Sequence, residues 1–78
     1  MPKLLDWYGH RFHFYSGDTA EPPHVHVRKG RKEAKIWLHD CSVAANIRYS
    51  ERELRELVEV AREHRVEFLH AWNAFFAR

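Results

Sequence analysis

Cysteine, glycine, proline and long apolar runs are all scarce in this sequence. The 78 residues include one cysteine, three glycines and three prolines. A single cysteine excludes an internal disulfide framework. No apolar run approaches the ~18 residues that cross a bilayer, and the N-terminal segment lacks the apolar stretch of a secretory signal. We therefore expect a cytoplasmic protein with no membrane partner, in which residues 1–78 form one domain.

Neither sign of charge dominates the composition. The chain has 13 Lys and Arg against 11 Asp and Glu, a formal net charge of +2. This imbalance is too small to establish a polyanionic partner by itself. Histidine is the unusual residue, because there are seven. Those in the first half of the chain are His10, His13, His24, His26 and His39. The composition therefore places any histidine chemistry in the first half.

Residues 1–40 alternate between apolar and polar side chains, as half-buried β-strands do. The alternating segments are residues 3–7, 11–15, 24–28 and 33–39, of which the first is the weakest. Gly30 tolerates the positive φ of a tight hairpin, so we place a turn at Lys29-Gly30. These features predict a three- to four-stranded antiparallel meander.

Residues 50–77 follow a helical period instead. Ser50 and Glu53 have the spacing of a capping box, and neither glycine nor proline follows them. Apolar residues recur in steps of three and four, which define one helix face. A single helix of this length would extend about 40 Å and overhang the sheet. We expect it either to fold back at a kink near His64-Arg65 or to meet a partner.

The two halves combine into an α+β fold, in which the long C-terminal helix covers one face of the sheet. Residues 41–48 are predicted to form a short helical connection, because Val43 and Ile47 are four residues apart. The core expected on the sheet side is Phe12, Phe14, Val25, Val27, Ala34, Ile36 and Leu38. The core expected on the helix side is Leu54, Leu57, Val58, Ala61 and Phe68.

The opposite face of the sheet is predicted to stay uncovered and to display four imidazoles. By strand parity it carries Arg11, His13, Tyr15, His24, His26, Arg28, Glu33, Lys35, Trp37 and His39. A turn at Lys29-Gly30 would bring several of these side chains together in two cross-strand rows. The rows are His13–His26–Glu33 and Tyr15–His24–Lys35.

The first interpretation of this face is RNA chemistry. Imidazoles move protons near neutral pH, an ammonium group stabilises charge on phosphate, and a tyrosine donates a hydrogen bond. Cleavage by the 2′-hydroxyl of the RNA itself requires no metal, so a ribonuclease of this kind would need no cofactor. The predicted catalytic residues are His24, His26, Tyr15 and Lys35. The predicted nucleic-acid-binding residues are Arg28, Lys29, Arg31, Lys32 and Trp37.

Two alternatives use the same face without catalysis. A divalent transition metal such as zinc suits the His-x-His spacing, which places two imidazoles on one side of a strand. The predicted ligands are His13, His24, His26 and Glu33. Alternatively, the face is solvated or docks another protein. The aromatic cluster Trp72, Phe75 and Phe76 further suggests core packing or a homodimer contact.

Residues Glu21 to His26 read Glu-Pro-Pro-His-Val-His, which resembles a family of small bacterial domains of unknown function with an EPPHVH-type motif. The likeness extends from the aromatic segment at residues 12–16 through the helix opening at 50–57 to residues 64–65 and 69–72, and so covers essentially all 78 residues. Members are often encoded beside a second small gene, in an arrangement similar to toxin–antitoxin pairs. The resemblance therefore implies a partner protein encoded nearby and an RNA-linked target, but no established chemistry. The motif positions are Glu21, Pro22, Pro23, His24 and His26.

Overall fold

The computed structural model describes residues 3–77 and has an α+β fold. Five strands form one antiparallel sheet in chain order. The strands are β1 (Lys3–Trp7), β2 (His10–His13), β3 (His24–Lys29), β4 (Lys32–Trp37) and β5 (Val43–Ile47). The helices are a 3₁₀ helix between β2 and β3 (Ser16–Ala20), α1 (Glu51–Glu63) and α2 (Arg65–Phe76). Within the described residues, none of the helices has the length and apolarity to cross a membrane.

The fifth strand replaces the helical connection predicted over residues 41–48, and that prediction is wrong. β5 pairs antiparallel with β4 and so satisfies backbone groups that β4 would otherwise leave at an edge. The backbone is left-handed at Cys41 (φ 59°) and Arg48 (φ 71°), which turns the chain on both sides of the strand. The spacing of Val43 and Ile47 was ambiguous, because residues four apart share one face of a strand as well as of a helix.

The C-terminal segment is two helices rather than one. α1 begins with the predicted capping box, in which the Ser50 hydroxyl accepts from the Glu53 N–H. It ends at Glu63, so the expected kink near His64-Arg65 is confirmed. The Arg65 guanidinium donates to the carbonyls of Leu38 and His39, just beyond β4. This contact anchors the beginning of α2 and directs its aromatic residues back onto the sheet.

The predicted core is confirmed on the sheet side and in part on the helix side. All seven sheet-side residues are at most 1% exposed. On the helix side Leu57, Ala61 and Phe68 are buried, whereas Leu54 and Val58 are partly buried. Val60 is also buried, although the stripe of steps of three and four had not included it. The helices therefore cover the face of the sheet that strand parity assigned to the core.

The β3–β4 hairpin turns one residue later than predicted. Lys29 pairs with Lys32, which leaves Gly30 and Arg31 as a two-residue turn. Gly30 has a φ of 59° and takes the first turn position, where positive φ is required in one of the common hairpin turns. The partner residues on β4 therefore move by two positions. A two-residue shift preserves the face of every side chain but changes its neighbours.

The cross-strand rows change accordingly. His26 lies opposite Lys35, and His24 lies opposite Trp37, so the predicted pairs His26–Glu33 and His24–Lys35 are wrong. The predicted pairing of His13 with His26 is confirmed. Their rings stack with centroids 5.8 Å apart.

Candidate functional site

His24 occupies an enclosed position at the end of the sheet. It is the first residue of β3 and is 0% exposed. Its ring contacts Trp72 of α2 (centroids 5.3 Å apart) and Trp37 of β4 (5.6 Å). The expectation that it would lie on an uncovered face is therefore wrong, because α2 reaches the end of β3. His26 stays half-buried on the predicted face.

Two imidazoles and one carboxylate converge beside the 3₁₀ helix. Asp18 Oδ1 lies 3.1 Å from His24 Nε2 and 3.2 Å from His26 Nε2. The three side chains, Asp18, His24 and His26, form what we call the histidine–aspartate cluster. Their side chains are 11%, 1% and 14% exposed, respectively. The cluster is therefore shielded from water but not sealed.

Neighbouring groups fix the orientation of each member of the cluster. The backbone N–H of Tyr15 donates to Asp18 Oδ2 at 2.8 Å, as part of the capping box of the 3₁₀ helix. His24 Nδ1 lies 2.9 Å from the Pro22 carbonyl oxygen. Because a carbonyl only accepts, the hydrogen of the neutral His24 ring is on Nδ1. The Pro22-Pro23 segment thus sets the His24 tautomer as well as delivering the chain into β3.

Burial and hydrogen bonding act in opposite directions on the cluster. Burial raises the pKa of Asp18, but the Tyr15 N–H and the two imidazoles outweigh it, so this pKa lies below its ordinary value. Burial lowers the pKa of His26, and Asp18 offsets that effect only in part. The carboxyl is therefore ionised and the His26 ring is mainly neutral at neutral pH.

The other predicted catalytic residues are held by carboxylates. The Tyr15 hydroxyl donates to Glu33 Oε2 at 3.1 Å, and burial with this contact raises the Tyr15 pKa. The Lys35 ammonium forms an ion pair with Glu21 and lies 4.7 Å from the centre of the Trp37 ring. The structure therefore brings Tyr15 against His26, with ring centroids 4.4 Å apart, and pairs Lys35 with the motif glutamate, whose carboxylate lies 3.8 Å from His24 Nδ1.

A groove of about 530 Å³ opens at the other end of β2 and β3. We call it the basic groove. Its lining is Lys3, Gly9, Arg11, His13, Tyr15, Arg28, Lys29 and Gly30. Four of these residues are cations, and no carboxylate is among them. Arg11 of β2 and Arg28 of β3 lie directly opposite each other in the sheet.

The predicted nucleic-acid residues separate into two groups. Arg28 and Lys29 line the basic groove. Arg31 is exposed in the turn, and Lys32 pairs with Glu53 of α1 at 2.6 Å. Trp37 packs edge-on against His24, at the enclosed end of β3. Arg11 and Lys3 were not among the predicted contacts, although Arg11 has the strand parity of Arg28.

The predicted metal ligands are also only partly brought together. His24 and His26 converge. His13 does not join them, because its Nδ1 lies 3.2 Å from the Arg11 carbonyl oxygen. Glu33 lies on the other side of the His26 ring, with Oε2 3.6 Å from His26 Nδ1. Asp18 takes the inner position and was missed. Only its spacing could have indicated Asp18 from the sequence, because Asp18 follows Tyr15 by three residues, as the acidic residue of a capping box follows the N-cap.

The aromatic residues of α2 pack mainly within the chain. Trp72 is 7% exposed and its ring lies 4.2 Å from that of Phe76. Both contact Phe14, whereas Phe75 remains 38% exposed. Core packing, the first of the two roles suggested for this cluster, therefore accounts for Trp72 and Phe76.

The arrangement from β2 to the last turns of α2 coincides with a known sequence family. The model of a domain of unknown function, DUF4160, matches residues 9–73. The chain belongs to the DUF4160 family. This confirms the expected resemblance to a family of unknown function, and the DUF4160 match includes the segment from Glu21 to His26. No curated protein and no solved structure matches the chain. Membership of DUF4160 carries no activity with it, so function is argued from the site.

Proposed function

We propose that this DUF4160 domain binds single-stranded RNA through the basic groove. The observation that carries the proposal is the composition of the groove lining, in which every charged side chain is a cation. Phosphate contacts from Arg and Lys provide most of the affinity of nucleic-acid-binding proteins. A groove of this composition beside aromatic side chains favours an anionic chain that also carries bases.

The central arginines are available for phosphate. Arg11 and Arg28 lie directly opposite each other on the adjacent strands β2 and β3. Like charges in this position repel each other unless an anion lies between them. Each arginine also lies opposite an acidic residue on the flanking strand, Arg11 opposite Asp6 and Arg28 opposite Glu33, and these carboxylates accept from the Gly9 N–H and the Tyr15 hydroxyl rather than from the arginines. A bound phosphate would relieve the repulsion between the arginines.

The aromatic rings of the groove support RNA over a simple phosphate ligand. The His13 and Tyr15 rings meet edge-to-face with centroids 4.8 Å apart. Flat side chains beside cations are the usual platform for unpaired bases, because every base has a π-face. The basic groove therefore offers both parts of a nucleotide a contact.

Fluorescence anisotropy with a labelled oligouridylate tests this function. We compare the double variant Arg11→Gln/Arg28→Gln with the matched control Arg52→Gln/Arg55→Gln, which removes two exposed arginines from α1. The groove variant is expected to weaken binding and to reduce the slope of log K against log salt by about 1.4. Equal losses in both variants, or wild-type affinity in the groove variant, would rule out the groove as the RNA site.

RNA cleavage is a separate and finer part of the proposal. His24 is enclosed and the His26 Nε2 faces Asp18, so His13 is the imidazole that lines the groove. A labelled RNA incubated in EDTA reveals metal-independent cleavage directly. Cleavage by the wild type that disappears in His13→Ala would support a ribonuclease of toxin–antitoxin type that acts in the groove, whereas cleavage lost only in His24→Ala/His26→Ala would place the chemistry at the two enclosed histidines. Intact RNA with the wild type would leave binding as the function.

Docking of a protein partner is the second candidate, and the β5 edge favours it. Every residue of β5 is exposed, including Val43 and Ile47. An exposed edge strand accepts a strand from another chain. We expect Ile47→Lys to abolish the pairing of β5 with a strand of another chain. The molar mass of the protein in solution measures this change. Loss of a homodimer with Phe75→Glu, but not with Ile47→Lys, would place the contact on α2 instead, and a wild-type monomer would exclude self-pairing.

A further inference from the structure

An unpartnered nitrogen lies inside the histidine–aspartate cluster. His24 Nε2 is buried and has no hydrogen-bond partner among the described residues. Asp18 Oδ1 is 3.1 Å away but is not positioned to close a hydrogen bond with it. Because the ring hydrogen is on Nδ1, the Nε2 lone pair faces a carboxylate oxygen. Two electron-rich atoms at this separation attract a cation between them.

His26 presents its nitrogen to the same point. His26 Nε2 is 3.2 Å from Asp18 Oδ1, and one ligand atom from each of the three side chains lies within 4.8 Å of the others. Two ligands of a tetrahedral zinc ion are separated by about 3.3 Å, given bonds of about 2.0–2.1 Å. The observed distances from nitrogen to oxygen are therefore close to those of a metal site.

The surroundings of the three groups match those of metal ligands. Metal-bound imidazoles usually donate their outer N–H to a carbonyl or a carboxylate. His24 Nδ1 has the Pro22 carbonyl at 2.9 Å, and His26 Nδ1 has Glu33 Oε2 at 3.6 Å. Glu33 is thus the carboxylate nearest to the outer nitrogen of His26, Nδ1, although 3.6 Å is longer than a hydrogen bond. The outer oxygen of Asp18 is held by the Tyr15 N–H.

We propose that Asp18, His24 and His26 bind a divalent transition-metal ion of the zinc class. Two imidazoles and one carboxylate suit such ions, whereas magnesium and calcium prefer oxygen ligands. The local charge also favours a cation, because the carboxylates of Asp18, Glu21 and Glu33 outnumber the single ammonium of Lys35. This site stands apart from the proposed RNA function, since none of its three ligands lines the basic groove.

Isothermal titration of the EDTA-treated full chain with zinc chloride tests the site. We expect one zinc ion per chain and a higher Tm when zinc is bound. Cobalt(II) is expected to give the visible absorption of a low-symmetry, four-coordinate site. No zinc uptake, or uptake without a change in Tm, would overturn the proposal.

Paired substitutions locate the metal. Asp18→Asn keeps the shape of the side chain but removes the charge of a direct ligand, so it should weaken zinc binding by more than the about 10–100-fold that loss of an outer partner of a metal ligand costs. The matched control is Asp40→Asn. Asp40 belongs to an exposed histidine–aspartate pair, in which His39 Nε2 and Asp40 Oδ2 lie 3.4 Å apart. Circular dichroism checks folding, and His26→Gln is the second variant if Asp18→Asn does not fold. Equal zinc affinity in Asp18→Asn and Asp40→Asn would refute this ligand set. RNA binding measured in EDTA tests the basic groove independently, so a failure of the metal site and a failure of the RNA function can be told apart.

Discussion

The two ends of strand β3 share one sheet face but differ in their surroundings. His24 and His26 lie at the first end, where α2 and the 3₁₀ helix enclose them among carboxylates. Arg28 lies on this face at the other end, where it and the neighbouring Lys29 line an open groove without carboxylates. Both ends follow the same alternation along the strand. Strand period therefore determines the face of a side chain, while the packing of distant elements determines whether water reaches it.

The largest loss of stability is expected when the side chain that encloses His24 is removed. Trp72 is 7% exposed and contacts both His24 and Phe14. Trp72→Ala should lower the free energy of unfolding by about 3–5 kcal/mol, because it leaves a cavity against the sheet. Urea unfolding followed by far-UV circular dichroism measures this loss. Val66→Ala, on an exposed side chain of the same helix, should change it by less than about 0.5 kcal/mol.

Comparison of these two substitutions also checks the origin of the enclosure. If Trp72→Ala proved as mild as Val66→Ala, α2 would not be packed on the end of β3. The burial of His24 would then need another cause. The folded fraction of Trp72→Ala should still bind RNA, since the basic groove contains no residue of α2.

The open end should respond to salt much more than the enclosed end. If the four cations of the groove each contact a phosphate, the affinity for single-stranded RNA falls about 50-fold between about 50 and 200 mM salt. Anisotropy titrations over this range measure the slope. The histidine–aspartate cluster is shielded and forms its contacts within the chain, so its Asp18→Asn variant should show the wild-type slope. A flat salt response of the wild type would contradict phosphate binding at the open end.

The difference between the two ends explains which parts of the site were predictable. Alternation identified the buried face through residues such as Phe12 and Ile36, and it placed Arg28 and His26 on the opposite face. Burial of His24 was not predictable in this way, because Trp72 reaches it from the far end of the sequence. Asp18 lies in a segment without a period, and its position depends on the 3₁₀ turn itself, in which its side chain accepts from the Tyr15 N–H and its backbone N–H donates to the Tyr15 carbonyl.

The same reasoning accounts for the errors in the fold. Gly30 suits the hairpin turn, but a glycine can take either central position, so the turn was placed one residue early. The spacing of Val43 and Ile47 fits a helix and a strand equally well. β5 forms because β4 offers it a partner, which is a tertiary effect absent from local propensity. The break at His64 was signalled by Arg65, whose charge interrupts the apolar stripe.

A smaller effect separates the cations of the open end from their neighbour in the hairpin. Arg28 lines the groove, whereas the Lys32 ammonium is 2.6 Å from Glu53. Arg28→Ala should therefore reduce the salt slope of RNA binding by about 0.7, the value of one phosphate contact. Lys32→Ala should leave the slope unchanged. A loss of slope with Lys32→Ala would show that this lysine leaves Glu53 to contact RNA.

The smallest effect is the pH dependence of that ion pair. The hydrogen bond from Lys32, together with the α1 cap at Ser50, lowers the pKa of Glu53 from 4.5 to about 2. A lowered pKa in the folded state stabilises the fold above the unfolded value and ceases to do so as pH falls through the folded value. The contribution of Glu53 is therefore complete above a pH near 4.5 and lost progressively toward pH 2. Urea midpoints across this range should fall less steeply in Glu53→Gln than in the wild type. Glu63→Gln, on an exposed residue of the same helix, should retain the wild-type dependence. An identical profile for all three proteins would mean that the Lys32–Glu53 pair does not stabilise the fold.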